Sequence, residues 1–278
     1  MKIGTSYWGL EGGPAATRPV KDAMLEARDL GFDSIELAIA SSGVLTPAVT
    51  RQECEEIVAY ARRIGIEISS LASGESWSAS PTAAAVETRA KITAFTRKAL
   101  EVARYLGVDA YLFVPGAVDV FFLPDGEVVS YDVCYERAQE TLRALIPTAE
   151  AQGVTLCLEN VWNKFLLSPL EMRGFIDGFA TPAVGSYFDV GNVLLTGYPD
   201  QWIRILGGRI KRVHVKDFKR SVGTADGFCD LLEGDVDFEA VKRALAAVGY
   251  DGYVTAEIMW SGPQSPVKTA AAMKQIFK

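Results

Sequence analysis

The sequence predicts an α/β fold, a (β/α)8 TIM barrel formed by residues 1–278 as a single domain. Three observations predict it. A phrase made of a helix end, a glycine and a short β-rich run recurs along the chain, and amphipathic stretches of helical period lie between the runs. The connections are terse on the helix-to-strand side and long on the strand-to-helix side. Glycine after a last helical turn supplies the left-handed cap, so each phrase marks a helix-to-strand turn. Strands alternating with helices in this way form parallel βαβ units, and eight units close into a barrel.

The opening strand spans residues 3–7. The phrase then appears as Leu30-Gly31-Phe32-Asp33-Ser34-Ile35-Glu36-Leu37, Ile64-Gly65-Ile66-Glu67-Ile68 and Leu106-Gly107-Val108-Asp109-Ala110-Tyr111-Leu112-Phe113. It returns as Gln152-Gly153-Val154-Thr155-Leu156, Leu206-Gly207-Gly208-Arg209-Ile210 and Val248-Gly249-Tyr250-Asp251-Gly252-Tyr253. With the run at residues 184–189 these supply eight β units. Helical periodicity marks residues 19–30, 51–64, 86–106, 131–152 and 238–248. Ser168-Pro169-Leu170-Glu171 reads as a helix start, with Ser at the N-cap, Pro at N1 and Glu at N3 closing a capping box. No linker or low-complexity tract divides the chain. Longer irregular pieces at residues 8–18, 73–81, 115–130 and 219–236 all follow strands, on the side where barrel enzymes build their sites.

Composition narrows the function classes. A 49% hydrophobic content allows a large core. The net charge of −7, without clustered Lys or Arg, argues against a nucleic-acid surface. No apolar run approaches the roughly 20 residues of a membrane helix. The four cysteines, Cys54, Cys134, Cys157 and Cys229, form no CxxC, and the Met1 start runs straight into a strand, so reduced thiols in a cytoplasmic protein are expected.

Four apolar runs end in a side chain that binds metal. Leu156-Cys157-Leu158-Glu159, Ser186-Tyr187-Phe188-Asp189 and Val254-Thr255-Ala256-Glu257 end in carboxylates, and Val213-His214-Val215 carries the only histidine. They fall at the C-terminal ends of the fifth to eighth expected strands, which are neighbours in a closed barrel. Isolated charges buried near a barrel axis each cost several kcal/mol without a common cation, so the conjunction favours a metal over four unrelated residues. Glu159, Asp189, His214 and Glu257 form a mostly hard ligand set suited to a divalent metal, Mn2+ or Mg2+ first, with Co2+ or Zn2+ able to substitute. Trp8, Trp77, Trp162 and Trp260 each follow a strand end and are expected around the same opening, where an indole stacks on the carbon face of a sugar; Trp202 reads as structural.

At these residues the sequence resembles the xylose-isomerase-like barrel superfamily, and within it the sugar phosphate isomerase/epimerase group that includes ketose 3-epimerases and pentulose- or hexulose-phosphate epimerases. The matching pieces are Glu159-Asn160-Val161-Trp162, Phe188-Asp189-Val190-Gly191-Asn192, Val213-His214-Val215-Lys216-Asp217 and Thr255-Ala256-Glu257. Glu233-Gly234-Asp235-Val236-Asp237-Phe238 and the early Phe32-Asp33-Ser34-Ile35-Glu36-Leu37 also look like the group. The resemblance implies a metal, Mn2+ by preference, held by Glu159, Asp189, His214 and Glu257, with Glu159 and Glu257 as the proton-transfer pair. It places Arg220 where the ketose epimerases carry an arginine six residues past the metal histidine. Asn192 stands where they often carry a histidine, and Phe165 where some carry a glutamate, which leaves the substrate open. By analogy with such barrels a homo-oligomer is expected.

The chemistry agrees with the resemblance. A carbanion beside a ketose carbonyl needs a metal on the carbonyl and adjacent hydroxyl oxygens to stabilise the enediolate, while one carboxylate removes the proton and another returns it. Two glutamates on strands separated by two others flank the sugar on opposite faces, which inverts the carbon. The expected function is therefore C3 epimerisation of a small-molecule ketose or ketose phosphate. Aldose–ketose isomerisation and a catalytically silent sugar-binding barrel are the alternatives. Lys216, of His214 parity, and Arg220, with Lys164 and Lys219, are expected to grip an anionic or polyhydroxyl group, which favours the phosphorylated sugar. Asn192, Lys216, Arg220 and Trp162 are the expected substrate-binding residues.

Overall fold

The computed structural model describes residues 1–123 and 126–278. Pro124 and Asp125, within the long connection expected at residues 115–130, lie outside the described residues. In chain order the elements are β1 (Lys2–Ser6), α1 (Val20–Asp29), β2 (Ser34–Ala38), α2 (Arg51–Ile64), β3 (Glu67–Ala72), α3 (Glu75–Ser78), α4 (Val86–Tyr105) and β4 (Ala110–Phe113). Then come α5 (Tyr131–Gln152), β5 (Thr155–Glu159), α6 (Pro169–Asp177), β6 (Val184–Asp189), α7 (Pro199–Leu206) and β7 (Ile210–Val215). The chain ends with β8 (Asp217–Phe218), β9 (Phe228–Cys229), α8 (Phe238–Ala247), β10 (Tyr253–Ala256) and α9 (Ser265–Phe277).

Eight strands close into a parallel barrel in the order β1-β10-β7-β6-β5-β4-β3-β2, while β8 and β9 form a separate antiparallel ribbon. The six glycines of the recurring phrase, Gly31, Gly65, Gly107, Gly153, Gly207 and Gly249, all take positive φ, and Gly65 and Gly153 are the left-handed caps of α2 and α5. The strands are buried on both faces, as in β6, where all six residues are inaccessible. Their outward side chains join the inward stripes of the helices, including Met24, Leu100, Leu142, Phe175, Ile203 and Leu245, in the main core. A smaller cluster of Ala72, Ala110, Leu112, Val114, Cys157 and Tyr187 packs separately. Cys157 and Tyr187 lie two residues before Glu159 and Asp189, so strand parity puts them on the same face, one layer below.

In that same layer Arg212, two residues before His214 and in register with Tyr187, is largely buried, and its side chain runs toward the opposite end of the barrel to meet Asp109. Its guanidinium donates to the Ser69 carbonyl (2.8 Å) and the Lys211 carbonyl (2.7 Å), pairs with Asp109 and lies over the Tyr253 ring at 5.0 Å. Each of the three guanidinium nitrogens has an acceptor, which makes this end a structural plug.

One sequence expectation needs amendment, and several elements lie outside the pattern. Ser168 caps α6 by accepting from the Glu171 N–H (3.2 Å), but Glu171 does not close the box: it accepts from the Leu167 N–H (2.9 Å) and the Tyr131 hydroxyl (2.5 Å). A reciprocal box forms instead at Thr50 and Glu53. The short helix α3, α7 as a helix, α9 and the β8–β9 ribbon were not read from the pattern. Among the described residues no helix is long and apolar enough to cross a membrane, and all four cysteines are free. Burial pushes the Cys157 thiol up to about 12, which leaves it inert at neutral pH.

Candidate metal centre

Parallel register brings the four candidate ligands together. Asp189 ends β6 directly beside His214 on β7. His214 pairs with Thr255 on β10, and Glu257 follows one residue after that strand. Glu159 ends β5 on the other side of β6. One ligand atom from each of the four lies within 4.8 Å of the others. That spread is close to twice a divalent metal–oxygen bond of about 2.0–2.6 Å. Asp189 and His214 are fully buried, Glu159 is 5% exposed and the Glu257 side chain 11%.

Glu36, on β2 across the barrel, completes the cluster. Its carboxylate is fully buried and lies 3.0 Å from His214 Nε2. It also accepts from the Tyr187 hydroxyl (2.5 Å) and Ser70 Oγ (3.1 Å). With Nε2 facing this carboxylate, Nδ1 points at Glu159 Oε1 (3.1 Å) and Glu257 Oε2 (2.8 Å). This is how a carboxylate fixes the tautomer and ring plane of a ligating histidine. Glu36 has no assigned role in the sequence reading: it stands in the middle of its run, Ser34-Ile35-Glu36-Leu37-Ala38, so the strand-end signal of the other three acids does not reach it.

Lys216 enters the same cluster. Its Nζ lies 2.5 Å from Glu257 Oε2, 2.9 Å from Asp189 Oδ2 and 3.9 Å from Glu159 Oε1. Despite these distances, Asp189 Oδ2 and Glu257 Oε2 are buried oxygens without a well-directed hydrogen bond. The electrostatics set the two glutamates apart. Burial raises the Glu159 carboxyl, and the neighbouring Glu257 charge raises it further, to about 7. Burial also pushes Glu257 up, but Lys216 and His214 outweigh it and hold that carboxyl below the usual range. The Asp189 carboxyl is raised, chiefly by burial against the opposing pull of Lys216. For His214, burial disfavours the cation, yet Glu257 and Glu36 prevail and push it well above 6.5. Environment thus makes Glu159 the more readily protonated of the two glutamates and Glu257 the less, the separation that paired acid and base work requires.

Above the cluster opens a cavity of about 400 Å³ walled by Trp77, Phe121, Phe122, Trp162, Phe228 and Ile258, with Asn192, Lys216, Asp217, Asp230, Glu257 and Ser261 among its polar groups. Trp162 donates its indole N–H to the Asn192 carbonyl (2.8 Å) and packs edge-on to Phe218 at 5.4 Å. Asn192 donates its side-chain amide to the Asn160 carbonyl (2.9 Å) and its backbone N–H to Asp189 Oδ1 (2.8 Å), so it braces the aspartate as well as lining the cavity. Of the four tryptophans expected at the opening, Trp77 and Trp162 line it; Trp8 and Trp260 are joined by a backbone hydrogen bond (3.1 Å) and do not. Arg220 lines neither this cavity nor the adjoining one: its guanidinium lies 5.9 Å from the Tyr198 ring centre. Lys164 is paired with Asp119, and Phe165 is buried among Tyr131, Tyr135 and Phe175.

The sequence matches the xylose isomerase-like TIM barrel family over residues 24–277. The chain belongs to that family. Among solved structures, this xylose isomerase-like barrel is similar to D-psicose 3-epimerase from Clostridium cellulolyticum H10, with a TM-score of 0.80 at 20% identity over 99% of this chain and 98% of that one. It is also similar to 3-keto-D-glucoside 4-epimerase from E. coli, with a TM-score of 0.79 at 18% identity over 99% and 98% of the two chains. At such identities the likeness establishes the fold. A curated relative, 3-oxo-isoapionate decarboxylase of Pectobacterium atrosepticum, is 26% identical over 142 residues, 49% of this chain and 50% of that protein. The chain spans about half the length of the curated relatives it matches.

The donor set of this xylose isomerase-like barrel fits a divalent cation. One imidazole nitrogen and three carboxylates converge, two of their buried oxygens lack a directed partner, and a fourth carboxylate turns the imidazole toward the convergence point. Oxygen-rich donors with a single nitrogen suit Mn2+ or Mg2+ over a thiol-seeking structural zinc.

Proposed function

We propose that this chain is a divalent-metal-dependent sugar epimerase or isomerase whose preferred reaction is epimerisation at C3 of a ketose. The observation that carries the reading is the convergence of Glu159, Asp189, His214 and Glu257 at the mouth of the barrel, beneath an aromatic cavity of sugar-binding character. A divalent cation held by these four residues, Mn2+ first, supplies Lewis acidity to a carbonyl and its neighbouring hydroxyl. The rest falls to the protein. Trp162 offers an apolar face to the sugar carbons, and Asn192 braces Asp189 at the cavity floor. Glu159 and Glu257 come from strands separated by β6 and β7, so they address the substrate from different sides. One takes the proton from the carbon beside the carbonyl and the other delivers one to the opposite face, which inverts the centre.

The cavity favours a free ketose over a phosphorylated one, the reverse of the sequence expectation. Among the described residues that line it, Lys216 is the only basic one, and its ammonium already faces three carboxylates. Arg220 and Lys164 are engaged elsewhere. A phosphate dianion finds no basic side chain there beyond Lys216, whereas hydroxyl groups need none. The decarboxylase relative fits the same logic, since loss of CO2 from a β-keto acid also leaves a carbanion beside a carbonyl.

The test is turnover of a panel of ketoses, ketose phosphates and β-keto sugar acids with Mn2+ in D2O. An inverted ketose carrying deuterium at C3, abolished in Glu159→Gln and in Glu257→Gln while both variants still bind Mn2+, is the expected result. Aldose formation moves the assignment to aldose–ketose isomerisation, and CO2 release moves it to decarboxylation. No metal-dependent exchange on any of them overturns the proposal.

A further inference from the structure

The position of Lys216 has a consequence for how the cluster is loaded. We propose that Lys216 is the built-in counter-cation of the carboxylate cluster, that a divalent metal competes with its ammonium for the same oxygens, and that the displaced ammonium then becomes the substrate-facing cation of the cavity. This rests on reading the cluster as a metal site.

Four carboxylates, Glu36, Glu159, Asp189 and Glu257, are gathered within the barrel mouth, and the cations among them are Lys216 and, when protonated, His214. Buried carboxylates require a counter-charge, and the two glutamates and the aspartate at the mouth share the Lys216 ammonium. The atoms it approaches most closely, Asp189 Oδ2 and Glu257 Oε2, are those that lack a directed hydrogen bond. The lysine therefore occupies, by proximity of charge, the same two oxygens that a metal would use. A dication seated on the same two oxygens meets an ammonium at contact distance, and like charges at that range in a buried site repel strongly. One of them must leave, and the ammonium has a flexible stem.

The geometry supplies its exit. Lys216 follows β7 and lines the aromatic cavity as well as touching the carboxylates, so rotation of its outer bonds carries the ammonium from the floor into the space where a sugar hydroxyl or carbonyl oxygen would lie. Its inner stem is fixed: a Cβ at Gly191 would lie 2.6 Å from Lys216 Cβ, so the adjoining β6 connection packs directly against it. A stem held at its base and free at its tip swings between two positions. The first balances the empty cluster, and the second presents a donor to substrate only when the metal is seated.

Two measurements test this on the full chain with Mn2+ alone as the probe. The first is amine acetylation of the wild-type protein, followed lysine by lysine in the mass spectrometer, in EDTA and in saturating Mn2+. Labelling of Lys216 should rise several-fold with metal while exposed Lys164 and Lys219 stay constant. The second is calorimetric titration of Lys216→Met, which should bind Mn2+ tighter than wild type by about tenfold or more, since competitive linkage is reciprocal, and should melt at lower temperature than wild type in EDTA. Lys216 labelling that is unchanged or reduced when Mn2+ is bound overturns the displacement, even if Lys216→Met binds metal tighter, because loss of a nearby positive charge alone would do that. Wild-type protein that binds Mn2+ while the variant binds it no better also overturns the inference and leaves the metal site standing. Wild-type protein that binds no divalent ion removes both.

Discussion

The raised Glu159 carboxyl makes a quantitative prediction about the stability of metal-stripped protein. Glu159 sits at the buried end of β5, 5% exposed, and its carboxyl is lifted from an ordinary 4.5 to about 7, first by burial and then by the charge of Glu257. A carboxyl raised on folding stabilises the native state fully below the unfolded value, and this contribution is lost as pH rises to the folded value. At about 1.4 kcal/mol per pH unit, the interval between 4.5 and about 7 corresponds to about 3 kcal/mol. Glu159→Gln removes the ionisation and keeps the shape. In EDTA, urea unfolding between pH 4.5 and 8 should show wild type losing about 3 kcal/mol relative to the variant, with the loss centred between pH 5 and 7. His214 adds to the difference in the same direction at higher pH. Its contribution is full below 6.5 and disappears as pH passes its raised folded value, and the Glu159 contact that helps raise it is absent from the variant. Parallel stability curves for the two proteins would refute the assignment of Glu159 as the protonated member of the pair.

Two further perturbations probe the supports of the site. Glu36→Gln keeps one acceptor for the His214 Nε2–H but weakens a charge-assisted contact now at 3.0 Å, and Mn2+ affinity measured by calorimetry should fall about 10- to 100-fold; unchanged affinity would show that the ring is held by packing alone. Asp217→Ala removes a buried carboxylate that accepts the N–H groups of Phe218 (2.8 Å), Leu232 (2.9 Å), Gly234 (3.0 Å) and Val236 (3.2 Å), so the loop over residues 219–236 loses its anchor. Trypsin cleavage at Lys219 or Arg220 should become rapid, and unfolding free energy should fall by about 2 kcal/mol or more, whereas wild-type resistance in the variant would mean the loop is held elsewhere.

Much of this was legible in the chain because it is local. Helices α2 and α5 begin and end at the residues their periodicity marks, since a left-handed glycine fixes each C-terminus independently of the surroundings. The candidate ligands are legible for the same reason: strand parity and a shared strand end decide where each side chain points. What escaped depends on contacts across the barrel or on loops. Glu36 is 178 residues from His214, and nothing near it in sequence names its partner. Arg220 lies in a loop, where an offset of six from His214 does not set direction, and its guanidinium turns to Tyr198. The β8–β9 ribbon has two residues per strand, too few for any alternation to register.

The two ends of the interior column obey opposite rules, and the contrast locates the chemistry. At the plug, Arg212 brings one positive charge, one carboxylate partner and two carbonyl acceptors together, so that each of its three nitrogens has an acceptor. Two residues further along the same strand and on the same face, His214 enters a set with four carboxylates around two basic side chains, and two oxygens remain without a directed donor. Packing for stability alone gains nothing from like charges held together, since replacing any one of those acids by an apolar side chain of similar volume relieves both repulsion and desolvation. A barrel that seals one end with a balanced pair and leaves the other overcharged is arranged to receive positive charge at the open end. The local violation of charge pairing, more than any single residue type, is what marks that mouth as the working face.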